Sequence, residues 1–305
     1  MTEAIRQDLE KALGRRVLAV DPIPEGHSGF TYFVRADDGE FVLRLPPPNA
    51  RIAGTADVMR QGRIMAALHA AGFPAPAVPV ICSDPVVDGR PFILIERLHG
   101  ERIETAARHE SPHDIAKSAI EVLHRLQAVP PEKTGIGDEE PVALQVEMMR
   151  WAMLMQRGPE ELTTRAGELG GLLAGHVPEE RTPILVHGDY HYGNMLFRGS
   201  EVVGVLDWEI AELGQPLLDL GALCVVVGRH PGDWPVVPDA ELLELYGVAE
   251  NEMRWYIAMS LYKYASIFGY NLMLHRKGRR PDPMYEGMTD TIVAMIDEGI
   301  ALLDR

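Results

Sequence analysis

The sequence has few cysteines and no long apolar run. Cys82 and Cys224 are the two cysteines among 305 residues, which excludes a disulfide framework, and no C-x-x-C pair is present to bind zinc. No apolar stretch approaches the roughly 18 residues that a membrane-spanning helix needs. Residues 1–13 form an amphipathic pattern interrupted by charges, unlike a signal peptide. We therefore expect a soluble, cytoplasmic protein.

Basic residues are also scarce relative to acidic ones. Lys and Arg total 29 against 45 Asp and Glu, which gives a formal net charge of −16. Electrostatic binding to nucleic acid or to an anionic membrane needs clustered cations, so we expect neither partner. With 46% hydrophobic and 24% charged residues the composition is that of a globular protein. A chain of this length usually folds around more than one core.

The first hundred residues predict β-structure. Segments 31–35 and 40–45 alternate in polarity around Asp37-Asp38-Gly39, which is a strong hairpin signal. Residues 91–96 form a continuous apolar run that is typical of a buried strand. A helical pattern over residues 57–71 interrupts these strands.

Helical patterns dominate after residue 99. The clearest start is Ser111-Pro112, where Ser can cap the helix and Pro fits its first turn. The expected helices cover residues 111–127, 139–175 as two helices, 215–227, 239–246, 250–277 and 284–303. We therefore predict an N-terminal domain over residues 1–98 and a C-terminal domain over residues 99–305.

The most informative segment is H-G-D-Y-H-Y-G-N at residues 187–194. Asp189 and Asn194 are five positions apart, and Asp207 follows at the end of the next expected hairpin. Phosphoryl transfer from a nucleotide needs a carboxylate that orients the attacking hydroxyl, and hard oxygen ligands for Mg²⁺. This spacing allows one loop to supply the base and an amide ligand, and Asp207 to complete the metal site.

Together with G-V-L-D-W-E at residues 204–209, this segment resembles the signature of the aminoglycoside phosphotransferase family. The resemblance implies an α+β, bilobal protein-kinase-like fold with a small β-rich N-lobe, which binds nucleotide, and a larger, mainly helical C-lobe. It implies that Asp189 is the catalytic base and that Asn194 and Asp207 hold Mg²⁺. The neighbouring Glu209 is a weaker candidate for an outer-shell or second-metal contact, and His187 and His191 are expected to brace the loop.

Three N-terminal segments extend the resemblance over roughly residues 20–230. E-G-H-S-G at 25–29 is similar to the family's phosphate-covering loop, which implies contacts from Gly26, His27, Ser28 and Gly29. The strand that carries the family's phosphate-binding cation is similar to F-V-L-R-L-P-P, with Arg44 as the cation; this form is nearest to kinase domains found beside acyl-CoA dehydrogenases.

The third segment, residues 92–100, resembles the hinge that pairs with the nucleotide base, and it implies contacts from Glu96 and Leu98. The cofactors that the resemblance implies are ATP, with GTP as the alternative, and Mg²⁺.

The sequence departs from the family at two positions. Arg44 stands where a lysine is usual, and Gln61 stands where a helix glutamate pairs with that lysine. A neutral amide cannot form this ion pair, so we expect another group to orient Arg44, with Asp57 as the candidate. Gln61 is also the support for an alternative function, that of a nucleotide-binding pseudokinase acting as a scaffold.

The acceptor is expected to be a small-molecule hydroxyl compound, either an antibiotic, a sugar or a hydroxyacyl thioester. Its binding is expected from residues 139–175 and 250–290. The aromatic series in the second of these segments, from Trp255 to Tyr270, is expected to fill the core, with pocket lining as the alternative. H-E-S-P-H at 109–113 matches the zinc-protease pattern, but Pro112 is unsuited to a helix interior, so no zinc is expected.

Overall fold

The computed structural model describes residues 2–23, 30–229 and 237–304, and the chain divides into two compact units. The first unit comprises Met1–Glu139 and Gly193–Glu212, and the second comprises Glu140–Tyr192 and Leu213–Arg305. The domain boundary that the sequence places near residue 99 lies within the first unit, and it stays a prediction.

An antiparallel five-stranded sheet occupies the N-terminal part of the first unit. Its strands are β1 Val17–Pro22, β2 Phe30–Ala36, β3 Gly39–Leu45, β4 Val80–Val87 and β5 Arg90–Glu96. They lie in the order β1-β2-β3-β5-β4. The predicted hairpin is confirmed, since β2 pairs with β3 along its whole length. The strands β3 and β5, which carry two of the expected nucleotide-binding segments, are therefore neighbours.

The core of this sheet forms against helix α1, Thr2–Leu13. Ile5 and Leu9 of α1 are fully buried in one cluster with Leu43, Leu45 and Leu94 of the sheet. Burial of a side chain of this size stabilises a fold by about 1.5–3 kcal/mol. The cluster thus packs α1 against the sheet face that carries these β3 and β5 side chains.

The first unit also contains helices α2 Val58–Ala70, α3 Ile103–Ala106 and α4 Pro112–Gln127, and the hairpin of β7 Met195–Arg198 and β8 Glu201–Val205. The predicted start of α4 is confirmed, because Ser111 Oγ accepts the N–H of Asp114 at 3.4 Å. Such a cap contributes about 1 kcal/mol. The Ser118 hydroxyl of α4 accepts the N–H of Val202, which joins the hairpin to this helix.

The second unit is helical. Its helices are α5 Leu144–Met155, α6 Glu160–Gly175, α7 Leu217–Arg229, α8 Asp239–Tyr246, α9 Glu250–Arg276, α10 Met284–Gly287 and α11 Thr289–Leu303. A two-stranded sheet pairs β6 Ile184–Val186 with β9 Glu212–Gly214. Of the single 3₁₀ turns, Gly54–Ala56 and Pro131–Lys133 belong to the first unit, and Tyr192–Asn194 spans the division between the units. In the described part of the chain, no helix is both long and apolar enough to cross a membrane.

Helix α9 is the centre of the second unit. It buries residues on all sides over the stretch from Met253 to Ser266, about four turns, as expected for a helix with neighbours around it. Trp255, Tyr256, Tyr262 and Tyr264 are at most 5% exposed. The expected core role of the aromatic series is confirmed for these four. The hydroxyl of Tyr264 also forms a hydrogen bond with Asp189.

Candidate active site

The carboxylate of Asp189, in the loop after β6, is held from two sides. The hydroxyl of Tyr264 on α9 donates a hydrogen bond to Oδ1 at 2.7 Å. The ring of His191 places Nε2 3.4 Å from Oδ2. The Asp189 side chain remains 26% exposed, so the carboxylate is fixed by its neighbours and still accessible.

These contacts decide the charge of Asp189. Burial alone would raise its pKa, but the hydrogen bond from His191, the charges of His191 and Lys263, and the Tyr264 hydroxyl together hold the pKa well below the ordinary 3.8. Burial and the adjacent Asp189 raise the pKa of Tyr264 well above 10, so this hydroxyl stays protonated and donates. Asp189 is therefore an ionised hydrogen-bond acceptor at neutral pH.

The backbone around Asp189 is fixed from α7 and α9. Asp219 of α7 accepts the N–H groups of His187, at 2.7 Å, and of Gly188, at 2.9 Å. The ammonium group of Lys263 on α9 donates to the carbonyl oxygen of Gly188. The His187 ring accepts the N–H of Asp189 at 3.2 Å, which agrees with the expectation that His187 braces the loop.

Lys263 is a buried cation with an unusual environment. It is 6% exposed, and its nitrogen lies 5.1 Å from the ring centroid of Trp151 on α5 and 5.6 Å from that of Tyr264. A cation over an aromatic face is stabilised by the negative face of the ring. The charge of Lys263 also acts on Asp219. Burial raises the pKa of Asp219, and its neighbours His187 and Lys263 offset this rise only in part.

In the first unit, Asp207 follows β8 in a constrained conformation. Its φ is +66°, in the left-handed region that residues other than glycine rarely adopt. Trp208 next to it is fully buried, donates from Nε1 to the carbonyl oxygen of Val205 at 3.0 Å, and lies edge-on to Phe73. The buried indole thus holds the Asp207 backbone in a conformation that costs about 1 kcal/mol or more.

Asn194 lies at the same end of the β7–β8 hairpin as Asp207. Its carbonyl oxygen accepts the N–H of Leu206 at 2.8 Å, one residue before Asp207. The structure therefore brings together, in the first unit, the two residues that the sequence predicts as metal ligands. Asp189 belongs to the second unit with its own set of contacts.

Arg44 of β3 also belongs to this group. Its guanidinium lies 3.3 Å from Asp207 Oδ1 and 3.7 Å from Glu209 Oε2. The expectation that Asp57 orients Arg44 is wrong. Asp57 instead caps α2, where its side chain accepts the N–H of Arg60 at 2.9 Å. An aspartate directly before a helix is well placed for capping, and this use occupies the carboxylate.

Gln61 of α2 faces a different group from the one that the family position suggests. It is 1% exposed, and its amide nitrogen donates to the carbonyl oxygen of Thr55 at 2.9 Å. A glutamate at this position would bury a negative charge against a carbonyl oxygen, which is costly.

The expected hinge follows β5 and is tied to the β7–β8 hairpin. The N–H of Glu96 donates to the carbonyl oxygen of Ala77 at 2.8 Å, and Glu101 exchanges two backbone hydrogen bonds with Phe197. Leu98 packs against Gly204, where any side chain larger than hydrogen would lie 2.6 Å from Leu98 Cδ1. The expected contacts of Glu96 and Leu98 with a base stay predictions, and Gly26, His27, Ser28 and Gly29 lie outside the described residues.

The H-E-S-P-H segment does not form a zinc-protease helix. Helix α4 begins at Pro112, so His109 precedes the helix, and it lies 3.1 Å from Glu101 Oε2. Across residues 2–23, 30–229 and 237–304, no three His, Cys, Asp or Glu side chains cluster as a metal site would require.

The chemistry of the group around Asp207 nevertheless fits Mg²⁺. Magnesium is usually bound through one or two carboxylates and the phosphates of a nucleotide, with water completing the shell, so it does not need a cluster of three acidic side chains. Asn194 and Asp207 supply an amide and a carboxylate at one hairpin end. The guanidinium of Arg44 beside Asp207 indicates that this carboxylate is placed to receive positive charge.

Sequence reasoning missed the second-unit residues that hold Asp189. The aromatic pattern around Tyr264 predicts core packing, with pocket lining as the alternative, and the sequence pattern indicates no role for Lys263 or Asp219. The available signal was a lysine within an aromatic, otherwise apolar helical run, since a buried lysine needs a polar partner.

Solved structures with the same fold cover nearly the whole chain. A candidate aminoglycoside phosphotransferase from Ralstonia eutropha JMP134 is 21% identical, with a TM-score of 0.80 over 99% of this chain and 98% of that one. Wild-type aminoglycoside 2'-phosphotransferase-IIIa in its GDP complex is 16% identical, with a TM-score of 0.67 over 97% of each chain. These similarities confirm the predicted α+β, protein-kinase-like fold.

Residues 19–256 match the phosphotransferase enzyme family, APH. This match spans most of the chain, and the chain belongs to that family. The resemblance read from residues 187–209 is therefore confirmed, and the protein is of the kinase type.

Curated relatives are longer proteins. Acyl-CoA dehydrogenase family member 10 of Mus musculus is 30% identical over 224 residues, which are 70% of this chain and 20% of that protein. Acyl-CoA dehydrogenase family member 11 of Rattus norvegicus is 26% identical over 281 residues, 83% of this chain and 36% of that protein. The chain thus spans about a fifth and about a third of the length of these two relatives.

Proposed function

We propose that this protein transfers the γ-phosphoryl group of ATP to a hydroxyl group of a small molecule, with GTP as the alternative donor. The observation that carries the proposal is the ionised, accessible Asp189 carboxylate, fixed by Tyr264 and His191 in a loop whose spacing to Asn194 fits phosphoryl transfer. Membership of the phosphotransferase family supports it. So do fold neighbours solved with GDP and with AMP-PNP and hygromycin B.

Asp189 acts on the acceptor in this proposal. The acceptor hydroxyl donates a hydrogen bond to the carboxylate, which orients the oxygen and takes its proton as the new O–P bond forms and the bond to the leaving nucleotide oxygen breaks. A carboxylate with a lowered pKa is a weak base. Positioning, however, contributes most of the catalysis in the loose transition state of this reaction, so a fixed and ionised acceptor suits the role.

The proposed donor site uses residues of the first unit. Asn194 and Asp207 would hold Mg²⁺, which offsets the negative charge of the phosphates when bound. Arg44 would contact phosphate oxygens, and the family resemblance implies further phosphate contacts from Gly26, His27, Ser28 and Gly29. The N–H groups of Glu96 and Arg97 already donate to carbonyl oxygens of the chain. We therefore assign the base contacts to the carbonyl of Glu96 and the N–H of Leu98.

The acceptor that we propose is a hydroxyacyl thioester. The curated relatives carry the name acyl-CoA dehydrogenase, which implies thioester substrates for those proteins. On α5, in the segment expected to bind the acceptor, the apolar side chains Val146, Met149 and Met153 are at least 52% exposed. A polycationic aminoglycoside would need carboxylates there, whereas an acyl chain needs apolar surface.

A transfer assay tests the proposal. Purified protein with Mg²⁺ and either ATP or GTP is offered hydroxyacyl-CoA thioesters, the matching free hydroxy acids, kanamycin, hygromycin B and simple sugars. Nucleoside diphosphate release is measured, and the product is identified by its gain of one phosphoryl group in mass spectrometry. We expect phosphorylated hydroxyacyl thioester, Mg²⁺ dependence and preference for ATP.

The outcomes separate the possibilities. Phosphorylation of an antibiotic or a sugar instead of a thioester contradicts the acceptor class and leaves the kinase reaction in place. Nucleotide binding without transfer to any acceptor contradicts the kinase reaction and favours the scaffold function.

A further inference from the structure

The chain keeps a phosphate-binding cation on β3 but has no carboxylate at the usual place on α2. Gln61, which stands at that place, is buried and engaged with the carbonyl oxygen of Thr55. The Arg44 side chain is nevertheless only 13% exposed and has two acidic neighbours, Asp207 at 3.3 Å and Glu209 at 3.7 Å. The carboxylates that can orient Arg44 therefore lie not on α2 but at residues 207 and 209 of the first unit.

The two acidic neighbours of Arg44 differ in their exposure and in their proposed role at the metal site. Asp207 is 38% exposed and is a proposed Mg²⁺ ligand, so its charge is shared once a divalent cation is bound. Glu209 is 18% exposed, two residues further along, and its Oε2 lies 3.7 Å from the guanidinium. A carboxylate of low exposure next to a guanidinium of low exposure interacts strongly, because solvent screens the pair little.

The segment that carries Glu209 is anchored to α2. Arg60 of α2 donates from Nη1 to the carbonyl oxygen of Ala211 at 2.7 Å. Its Nε and Nη2 form a bidentate ion pair with the carboxylate of Glu139, at 2.8 and 2.6 Å. Helix α2 thus holds the backbone at Ala211, two residues after Glu209, through an arginine. It carries no glutamate that could hold the β3 cation. A carboxylate beside the β3 cation and a contact from α2 are therefore both present, but Glu209 supplies the first and Arg60 the second, whereas one helix glutamate supplies both at the family position.

We propose that Glu209 is the positioning residue for Arg44, and that it replaces the missing α2 carboxylate when nucleotide and Mg²⁺ are bound. Glu209 keeps the guanidinium directed for bidentate contact with phosphate oxygens, a geometry that an arginine offers and a lysine does not. This inference rests on the proposed function. It also predicts that the pair Arg44 and Glu209 acts as one unit, separate from the metal ligands.

A double-mutant cycle tests this role. Glu209→Gln keeps the shape and removes the charge, Glu209→Asp keeps the charge on a shorter stem, and Arg44→Met removes the partner. The matched control is Glu10→Gln, which neutralises a surface ion pair with Arg6 in the same unit. For each variant we measure the Kd of a fluorescent ATP analogue, kcat and KM for ATP, and the Mg²⁺ concentration at half-maximal rate, with thermal unfolding as the check on folding.

We expect Glu209→Gln to raise Kd and KM for ATP about tenfold, equivalent to about 1.4 kcal/mol, with a smaller change in kcat. Glu209→Asp should recover part of the loss. In the Arg44→Met background, Glu209→Gln should change Kd by less than about twofold, because the interaction that it removes is already absent. The Mg²⁺ requirement and the Glu10→Gln control should match the unaltered protein.

Three results overturn the proposal. One is that Glu209→Gln binds the fluorescent ATP analogue with the same Kd as the unaltered protein. A second is a tenfold loss that persists in the Arg44→Met background. The third is a raised Mg²⁺ requirement that accounts for the whole loss, which makes Glu209 a metal ligand. If Glu209→Gln does not fold, Glu209→Asp and Arg44→Met carry the same comparison. An unaltered protein that binds no nucleotide contradicts the proposed function itself.

Discussion

The hydroxyl of Tyr264 donates a 2.7 Å hydrogen bond to Oδ1 of Asp189. The two residues are 75 positions apart in sequence, and the contact joins the middle of α9 to the loop after β6. It fixes Oδ1 of the carboxylate, while His191 Nε2 lies 3.4 Å from Oδ2.

Tyr264→Phe should slow transfer by about tenfold while the protein stays folded. The substitution removes one hydrogen bond to a charged group, which contributes about 1.5–3 kcal/mol, and keeps the ring in the core. It should also raise the pKa of Asp189, because the hydroxyl helps to hold that pKa low. The acidic limb of the kcat/KM profile should therefore move to higher pH.

Tyr262→Phe is the matched control for this prediction. It removes a hydroxyl from nearly the opposite face of the same helix, and burial raises the pKa of Tyr262 without a contribution from Asp189. We expect its pH profile to match that of the unaltered protein. An acidic limb that shifts equally in both variants, or in neither, contradicts a positioning role for Tyr264.

Asp189→Asn should abolish most of the transfer and spare nucleotide binding. The amide keeps the size of the side chain and can still accept from Tyr264, but it cannot take a proton from the acceptor. We expect kcat to fall by about a thousandfold, within the usual range for loss of a general base. Rates from acceptor-saturated assays and Kd for an ATP analogue check both parts. Undiminished turnover would remove Asp189 from the mechanism.

Much of the fold was predictable from local patterns, and the missed parts have physical reasons. The β2–β3 hairpin and the Ser111 cap depend on turn and capping chemistry that neighbouring residues specify. Strands β1 and β4 were not predicted. Strand β4 contains Pro85 and buries few side chains, and both strands lie at sheet edges, where alternation is weak.

The candidate site divides in the same way. Asp189, Asn194 and Asp207 are specified by spacing within one short segment, so the sequence is sufficient to propose them. Two of the side chains that hold the Asp189 loop lie on α9, far along the chain, where Tyr264 and Lys263 are indistinguishable from core-facing positions until the helix is placed. The sequence suggests Asp57 as the partner of Arg44 because Asp57 lies one turn before Gln61, but its carboxylate caps α2 instead.

The stability of the protein should fall as the pH is lowered through the acid range, in part through Asp189. Its pKa in the folded state lies below its ordinary value of 3.8. The folded protein therefore binds fewer protons than the unfolded chain in that window. Stability from this group is complete above about pH 5 and is lost progressively as the pH falls further.

Urea unfolding between about pH 3 and pH 7 should show this loss in the unaltered protein and a smaller one in Asp189→Asn. The raised pKa of Asp219 acts in the opposite direction, since its contribution is lost as the pH rises, so the difference between the two proteins isolates Asp189. Equal pH dependence in the two proteins contradicts the assignment.

Asp219→Asn should destabilise the second unit and also impair transfer. The carboxylate accepts two backbone N–H groups, from His187 and Gly188, and an amide can accept only one of them while its NH₂ group opposes the other. We expect a loss of about 2–3 kcal/mol, measured by urea unfolding. Asp297→Asn, which neutralises an exposed pair with Arg165, should cost less than about 1 kcal/mol.

The same variant should slow transfer more than it weakens nucleotide binding. Displacement of the His187 and Gly188 backbone moves Asp189, which the proposed reaction uses on the acceptor and not on the nucleotide. We therefore expect kcat to fall by tenfold or more while Kd for an ATP analogue changes by less than about threefold, since misplacement of a catalytic group by about 1 Å is enough for a large rate loss. A variant that loses stability but keeps kcat would show that Asp219 supports the fold without positioning the loop.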